Sequence, residues 1–234
     1  MPDVVLHQWE ISPFCGKVRR ILALKAVAFR TVDYNGLKAA LAARLSRAGK
    51  LPVLDWDGER VQDSSDIARF LEDRVPEPSI YPRDALEHAR AAVFEDWADE
   101  SLYWYEVYFR FADEEARERA VDLLCAGRPR VERALFAKVA ARQLSKKLEA
   151  QGIARLGRER VEEAFFAQLA NLETLLEPTG WLVGGAQSIA DIAVASQIDE
   201  VVRTSPLADR VLGHKRLAAW LERQRPQADT RRRP

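Results

Sequence analysis

Ser12-Pro13-Phe14-Cys15-Gly16-Lys17-Val18-Arg19 decides the fold, because this stretch joins a predicted strand to a predicted helix. The apolar residues 4–9 before it have the length of a buried strand. The helix has Ser12 as its predicted N-cap, Pro13 in its first turn, and an apolar face made of Phe14, Val18, Ile21 and Leu22. The unpaired N–H groups of a helix start stabilise an anion, and a serine hydroxyl can donate a hydrogen bond to a bound thiolate. Ser12 is therefore either such a donor or only a helix cap.

The residues that follow continue the alternation of strands and helices. Residues 29–33 are the second predicted strand, and residues 37–48 are the second predicted helix. Residues 51–62 predict a hairpin around an Asp57-Gly58 turn, and residues 63–66 cap a third helix. The resulting order, βαβαββα, is that of thioredoxin-like domains and predicts an α/β domain.

A proline-rich segment at residues 76–82 is the predicted domain boundary. The chain after it has helical periodicity interrupted by glycine and proline, which predicts an all-α bundle of five or six helices. We therefore predict a thioredoxin-like domain at residues 1–76, a linker at 77–86 and an all-helical domain at 87–234. The short basic tail at residues 231–233 is interpreted as a solvated terminus.

The composition limits the possible function classes. Apolar residues make up 47% of the 234 residues, and 36 Lys and Arg balance 36 Asp and Glu, so the net charge does not favour nucleic acid. No apolar run is long enough to span a bilayer, and the N-terminus has no signal-peptide pattern. With only Cys15 and Cys125, we expect no disulfide scaffold and a reducing, cytoplasmic location. The three scattered histidines lack ligand spacing, so no metal is expected.

Two further segments place polar groups at the ends of predicted elements. In Lys50-Leu51-Pro52-Val53-Leu54, a proline enters a strand, and a cis peptide there would turn the Leu51 backbone toward an extended peptide ligand. In Asp63-Ser64-Ser65-Asp66, hydroxyl and N–H groups at a helix start form a carboxylate pocket, and Asp63 is a partner for an ammonium group. Helix capping alone is the other interpretation of this second segment.

Together, in this order, the three segments resemble the N-terminal domain of the glutathione transferases. The resemblance covers residues 4–75. Ser12-Pro13-Phe14 is similar to the serine-type start of tau-class members. It is also similar to the subgroup that contains prostaglandin E synthase 2, which has Cys in place of Ser12. In the second half, residues 180–184 and the Ser188–Asp191 capping box resemble the start of the family's buried central helix.

The resemblance implies glutathione as cosubstrate and assigns roles to the matching residues. Ser12 would donate a hydrogen bond to the thiolate, and Leu51, beside Pro52, would pair through its main chain with the cysteinyl unit. Asp63 and Ser64 would hold the γ-glutamyl end.

Other assignments from the resemblance are less specific. Phe14 is included among the residues expected to contact glutathione. The glycyl carboxylate is expected to pair with one of three cations, Lys38, Arg44 or Lys50. Ala26, where a glycine often ends the first helix, and residues 45–49 depart from the family pattern. These departures place the chain outside the best-characterised classes.

Cys15 leaves two interpretations open. It is either an inert buried thiol or a reactive thiolate that forms a mixed disulfide with glutathione. The family resemblance also implies a small hydrophobic electrophile bound between the domains, and a homodimer. An aromatic helical stripe would either line that pocket or pack in the core: Phe94, Trp97, Ser101, Trp104, Tyr105 and Tyr108.

The predicted function is therefore glutathione transfer to a hydrophobic electrophile, with Ser12 stabilising the thiolate. The alternatives are a glutathione-dependent oxidoreductase or dehalogenase that uses Cys15, and a non-catalytic binding module of the same fold.

Overall fold

The N-terminal domain is built on a four-stranded mixed sheet. The computed structural model of the chain describes residues 2–225, so the basic tail at 231–233 lies outside the described residues. The strands are β1 (Val4–Gln8), β2 (Arg30–Asp33), β3 (Val53–Trp56) and β4 (Glu59–Gln62), and their spatial order is β2-β1-β3-β4. β1 pairs parallel to β2 and antiparallel to β3, and β3 pairs antiparallel to β4. This is the thioredoxin-like arrangement that the element order predicts.

Two helices, α1 (Pro13–Leu24) and α2 (Ser64–Arg74), complete this domain. All five residues of the central strand β1 are buried. The core face of α1 includes Val18, Ile21 and Leu22, all with no exposed surface. Burial of such side chains is worth about 1.5–3 kcal/mol each, so this face fixes how α1 sits in the domain.

The predicted turn chemistry of the first domain is confirmed. Ser12 is the N-cap of α1, with Pro13 in the first turn. Asp57 and Gly58 both have positive φ, 49° and 89°, as a type I′ hairpin turn requires. Asp63 is the N-cap of α2.

The second predicted helix is wrong in type and length. Gly36–Arg44 forms a 3-10 helix instead of an α-helix at residues 37–48. Only Gly36 and Ala42 of this segment are buried, so few packing contacts offset the cost of nucleating an α-helix. Its start is fixed from outside, because the Leu37 N–H donates to Glu132 Oε1 at 2.9 Å. Gly36 has φ 61°, which favours glycine, and a Cβ there would also displace the Glu132 carboxylate, which lies 2.3 Å away.

The described chain from residue 85 onward is helical. Between residues 85 and 225 there are eight α-helices, more than the five or six predicted, because no glycine or proline marks the breaks at 98–102 and 113. A π-helical turn, Ala98–Leu102, joins the first two of these eight helices, and a 3-10 turn, Ile153–Leu156, lies between the fourth and the fifth. The helices are α3 (Ala85–Trp97), α4 (Tyr103–Ala112), α5 (Glu114–Leu124), α6 (Arg130–Gln151), α7 (Arg158–Leu175), α8 (Ile189–Thr204), α9 (Ala208–Leu212) and α10 (Lys215–Gln224). Within residues 2–225, no helix is both long and apolar enough to cross a membrane.

Helix α8 lies at the centre of the molecule and begins with the predicted capping box, which is confirmed. The Ser188 N–H donates to Asp191 Oδ2 at 2.9 Å. The other oxygen, Asp191 Oδ1, accepts from the Leu182 N–H at 3.0 Å and from the Trp220 indole at 2.8 Å. One buried carboxylate therefore joins the start of α8 to the preceding loop and to α10.

Helices α5 and α6 form a hairpin that packs on the first domain. A small core cluster joins Ile11 of the β1–α1 loop to Leu124 of α5 and Phe136 of α6. Asn35 donates to the Ala126 carbonyl at 3.0 Å on the same side. The loop that carries Ser12 is therefore enclosed by both halves of the chain.

Candidate functional site

Ser12 occupies the N-terminus of α1, as the sequence predicts. Its Oγ accepts from the Cys15 N–H at 3.4 Å, and its own N–H donates to the Trp9 carbonyl at 3.0 Å. The side chain is half-buried. It therefore caps the helix, and it also stands where the helix dipole favours negative charge.

A cleft of about 430 Å³ lies between the two domains. The first domain contributes six of the predicted site residues to its lining: Phe14, Lys50, Leu51, Pro52, Asp63 and Ser64. Ser12 and Lys38 are not among the lining residues, although Ser12 is two positions before Phe14. Three separate chain segments therefore converge on one cavity.

The Leu51–Pro52 peptide on the cleft wall is cis. Leu51 is half-buried and Pro52 is buried, and both precede strand β3. Lys50, exposed, continues the same segment along the cleft. This wall therefore consists of a cis-proline segment and one cation.

Asp63 and Ser64 lie at the start of α2, next to Pro52 at the end of the β3–β4 hairpin, where Val53 pairs with Gln62. Asp63 has φ 73° and ψ 135°, a strained region for a residue other than glycine. Its Oδ1 accepts from the Ser65 N–H at 2.9 Å and from the Asp66 N–H at 3.4 Å. The strained backbone thus lets one carboxylate cap α2 from the edge of the cleft.

The three candidate cations for a carboxylate differ in the structure. Lys50 lines the cleft. Lys38 instead donates to the Asp33 carbonyl at 3.0 Å, and its Nζ lies 4.9 Å from the centroid of the Tyr34 ring. Arg44 is exposed at the end of the 3-10 helix. Lys50 is therefore the cation of the three that fits a ligand in this cleft.

A buried lysine that sequence reasoning missed lies beneath the cleft. Lys17 Nζ is 2.6 Å from Glu95 Oε1 and 2.7 Å from Asp99 Oδ2. It also donates to Ser65 Oγ at 3.0 Å. Lys17 thereby links α1, the start of α2 and the helical domain, and no local sequence signal pairs these distant positions.

The helical domain gives the cleft an acidic wall: Glu95, Asp96, Asp99 and Glu100. The last two lie in the π-helical turn, which faces the cavity. Burial raises the pKa of Asp99, and the neighbouring Lys17 works against that rise. The described residues contain no group of three or more His, Cys, Asp or Glu that would hold a metal ion.

Cys15 is fully buried. Burial raises the pKa of its thiol to about 11, and this effect outweighs the lowering by Arg19 and by contacts with Ser12 and the Trp9 backbone. A thiol in this setting is a weak nucleophile, because the reactive thiolate is scarce at neutral pH. The structure therefore favours the inert interpretation.

The aromatic stripe of the helical domain packs in the core. Tyr108 is buried, and its partly buried neighbours Phe94, Trp97, Trp104 and Tyr105 pack against the main hydrophobic cluster. Phe14 is the aromatic residue on the cleft, and its ring lies 5.0 Å from that of Tyr103. Ser101 is exposed.

Each half of this architecture matches a known protein-family model. Residues 6–79 match the family model described as glutathione S-transferase, N-terminal domain, and residues 156–223 match the one described as glutathione S-transferase, C-terminal domain. The chain belongs to the glutathione S-transferase family. In this glutathione S-transferase family member, residues 80–155 lie between the two matched ranges and contain α3 to α6.

Three similar proteins illustrate the relationship. An isoprene-epoxide–glutathione S-transferase of Rhodococcus sp. is 30% identical over 96 residues, which are 41% of this chain and 39% of that protein. The GST-like protein YibF of Escherichia coli is 31% identical over 128 residues, 53% and 62% of the two chains. A solved glutathione S-transferase from Methylobacterium radiotolerans, in complex with glutathione sulfonate, superposes with a TM-score of 0.61 at 25% identity, over 94% of this chain and 89% of that one.

The sequence matches are partial. The matched segments span from about two fifths to about three fifths of the length of these two curated relatives. The structural match, in contrast, extends over nearly the whole of this glutathione S-transferase family member.

Proposed function

We propose that the protein binds glutathione in the interdomain cleft and is a glutathione transferase. The observation that carries this proposal is the convergence of Phe14, residues 50–52 and residues 63–64 around one cavity, with Ser12 two positions before Phe14 at the start of α1. Similar proteins support it, since one relative is named for glutathione transfer to isoprene epoxide and one solved structure holds glutathione sulfonate.

Each wall of the cleft suits a different part of the tripeptide. The Leu51 main chain would pair with the cysteinyl unit, and Lys50 would hold the glycyl carboxylate. The start of α2 at Ser64, with Asp63 beside it, would hold the γ-glutamyl end. The thiol would then reach the N-terminus of α1, next to the Ser12 hydroxyl.

The proposed reaction is conjugation to a small hydrophobic electrophile. The Ser12 hydroxyl and the α1 dipole stabilise the thiolate, whose proton passes to solvent. The sulfur forms a bond to an electrophilic carbon, and the bond to the leaving atom breaks with its electron pair. When the electrophile is an epoxide, the released alkoxide takes up a proton from water.

The family resemblance also underlies two coarser proposals. We place the protein in the cytoplasm, and we propose that it forms a homodimer. Light scattering of the purified protein at several concentrations tests the dimer, and a monomer at all of them would exclude it.

Calorimetry and kinetics together test the proposed site. Ser12→Ala should lower kcat by roughly 10²-fold and raise the pKa of the bound thiol toward that of free glutathione. Its glutathione Kd should change less than about threefold. Ser64→Ala and Asp63→Ala should instead weaken binding by about tenfold or more, because a charge-assisted contact is lost.

Ser145→Ala provides the matched control, since this serine is exposed on α6. It should leave both quantities unchanged. Full turnover by Ser12→Ala would exclude the assigned role of the hydroxyl. Glutathione binding without turnover across a panel of electrophiles would favour a binding module of the same fold.

A further inference from the structure

The β1–α1 loop, residues 9–12, is held by hydrogen bonds to three consecutive carbonyl groups. The Trp9 carbonyl accepts from the Ser12 N–H at 3.0 Å. The Glu10 carbonyl accepts from Arg19 Nη2 at 2.8 Å, and the Ile11 carbonyl accepts from Arg110 Nη2 at 2.9 Å. Two arginines therefore fix the backbone immediately before Ser12.

Arg110 reaches the loop from the other domain. It lies on α4, 99 positions along the chain from Ile11, and only 7% of its surface is exposed. Its guanidinium contacts the Glu106 carboxylate one turn earlier and lies 3.5 Å from Glu200 Oε2 on α8. A buried guanidinium is costly to desolvate, and the same Nη2 group that donates to the Ile11 carbonyl lies beside these two acidic side chains, which offset part of that cost.

The loop has little other freedom. Ile11 is 1% exposed and packs with residues of α5 and α6. The Trp9 indole donates to the Tyr34 carbonyl. Arg110 thus provides one of two arginine anchors of a loop whose apolar side is already fixed, and it holds the peptide unit between Ile11 and Ser12, to which the Ser12 N–H belongs.

We propose that Arg110 is a positioning residue that fixes the Ser12 hydroxyl through the Ile11 carbonyl. The inference rests on the proposed function, because it assigns importance to where that hydroxyl stands. A displacement of the order of 1 Å in a reacting group lowers turnover by about 10²-fold. Arg110 itself does not line the cleft, so it acts through the loop and not by contact with glutathione.

The variants separate positioning from simple loss of stability. Arg110→Lys keeps the charge near Glu106 and Glu200, but its side chain ends one atom short of the Nη2 that donates to the Ile11 carbonyl. Arg110→Met removes the anchor, and Arg110→Met/Glu106→Gln removes it without leaving Glu106 as a buried acid that has lost its partner. Arg20→Met is the matched control, because Arg20 is also a largely buried arginine and joins α1 to Ser196 and Asp199 of α8.

The first measurement is hydrogen exchange of the peptide that contains residues 9–12, without glutathione. We expect exchange of the Ser12 amide to quicken by about tenfold or more in Arg110→Met and in the double variant. Arg110→Lys should lie between these and the wild type. Arg20→Met should leave this peptide unchanged, even if its melting temperature falls.

The second measurement is kinetic. Where exchange quickens, kcat should fall by roughly tenfold to a hundredfold and the bound thiol should titrate at higher pH, while KM for glutathione stays within about threefold. Unchanged exchange in both Met variants would overturn the anchoring role, and quickened exchange with unchanged kcat would overturn the effect on Ser12.

A failure of the proposed function would look different. If the wild-type protein binds no glutathione, the kinetic measurement cannot be made. The exchange experiment needs no ligand, so it would still decide whether Arg110 holds the loop. If circular dichroism shows that both Met variants are unfolded, the same two measurements are made on Arg110→Lys. Wild-type exchange and kcat in Arg110→Lys would then overturn the inference.

Discussion

Lys17→Met removes a cation that lies among three oxygen atoms from different elements. Lys17 is 1% exposed, and its Nζ lies 2.6 Å from Glu95, 2.7 Å from Asp99 and 3.0 Å from the Ser65 hydroxyl. Methionine preserves much of the apolar stem but leaves two carboxylates close together without their shared cation. We therefore expect a loss of stability and not only a local rearrangement.

The size of the loss follows from the burial of the three groups. Removing one partner of a buried ion pair costs roughly 3–5 kcal/mol. Glu95 and Asp99 also border the cleft, where water or a proton can partly compensate them, so we expect about 3 kcal/mol, the lower end of that range. For a chain of this size, that corresponds to a fall in melting temperature of roughly 6–12 °C.

Urea unfolding, followed by circular dichroism and by tryptophan fluorescence, measures this change. Lys138→Met on the exposed side of α6 is the control and should stay within about 0.5 kcal/mol of the wild type. Adding Glu95→Gln and Asp99→Asn to Lys17→Met should restore at least half of the loss, since no uncompensated charge remains. A cost below about 1 kcal/mol for Lys17→Met, or no recovery in the triple variant, would refute the reasoning.

Three further outcomes follow from buried groups. Asp191→Ala should lower the free energy of unfolding by about 3–5 kcal/mol, because the N–H groups of Ser188, Leu182 and Trp220 lose their acceptor. Chemical denaturation measures this free energy, and a loss under about 1 kcal/mol would contradict the prediction. Burial raises the pKa of Glu106 to about 8 in the folded protein, against the lowering by neighbouring Arg110, so the folded state holds this proton more tightly than the unfolded chain. The stability of the wild type should therefore fall relative to Glu106→Gln as pH rises from about 4.5 to about 8, and level off above that. Denaturation at several pH values tests this, and parallel curves would refute it. Cys15 should form no adduct with oxidised glutathione in the native protein, and an adduct seen by mass spectrometry would instead favour the oxidoreductase alternative.

The features that were predictable from the sequence are local ones. The N-cap at Ser12, the Asp57-Gly58 turn and the Ser188–Asp191 box each depend on residues within three positions of one another. Turns and helix caps of this kind are determined by short sequence segments. These segments were therefore enough to predict the order of strands and helices in the first domain.

The features that were missed depend on partners far apart in the chain. Lys17 meets Asp99 across 82 positions, and Arg110 meets Ile11 across 99. Helical periodicity predicts that a position is buried but not which side chain faces it. For the same reason, sequence ranked Lys38 equally with Lys50, although the Asp33 carbonyl and the Tyr34 ring hold Lys38 away from the cleft.

The charges around the cleft also favour one direction for the proposed ligand. The helical domain contributes Glu95, Asp96, Asp99 and Glu100, and Asp99 accepts from the Ser65 hydroxyl at the start of α2. Lys50 adjoins Leu51 and Pro52, and the other cation on the cleft, Arg69 of α2, is paired with Asp66. Glutathione carries its ammonium group at the γ-glutamyl end and a lone carboxylate at the glycyl end. In the reverse direction the glycyl carboxylate would face this acidic wall, and like charges at short range are costly in a partly buried site. In the proposed direction the ammonium would face the acidic wall, so the helical domain would select the orientation while Ser12 of the first domain would supply the hydroxyl for the sulfur.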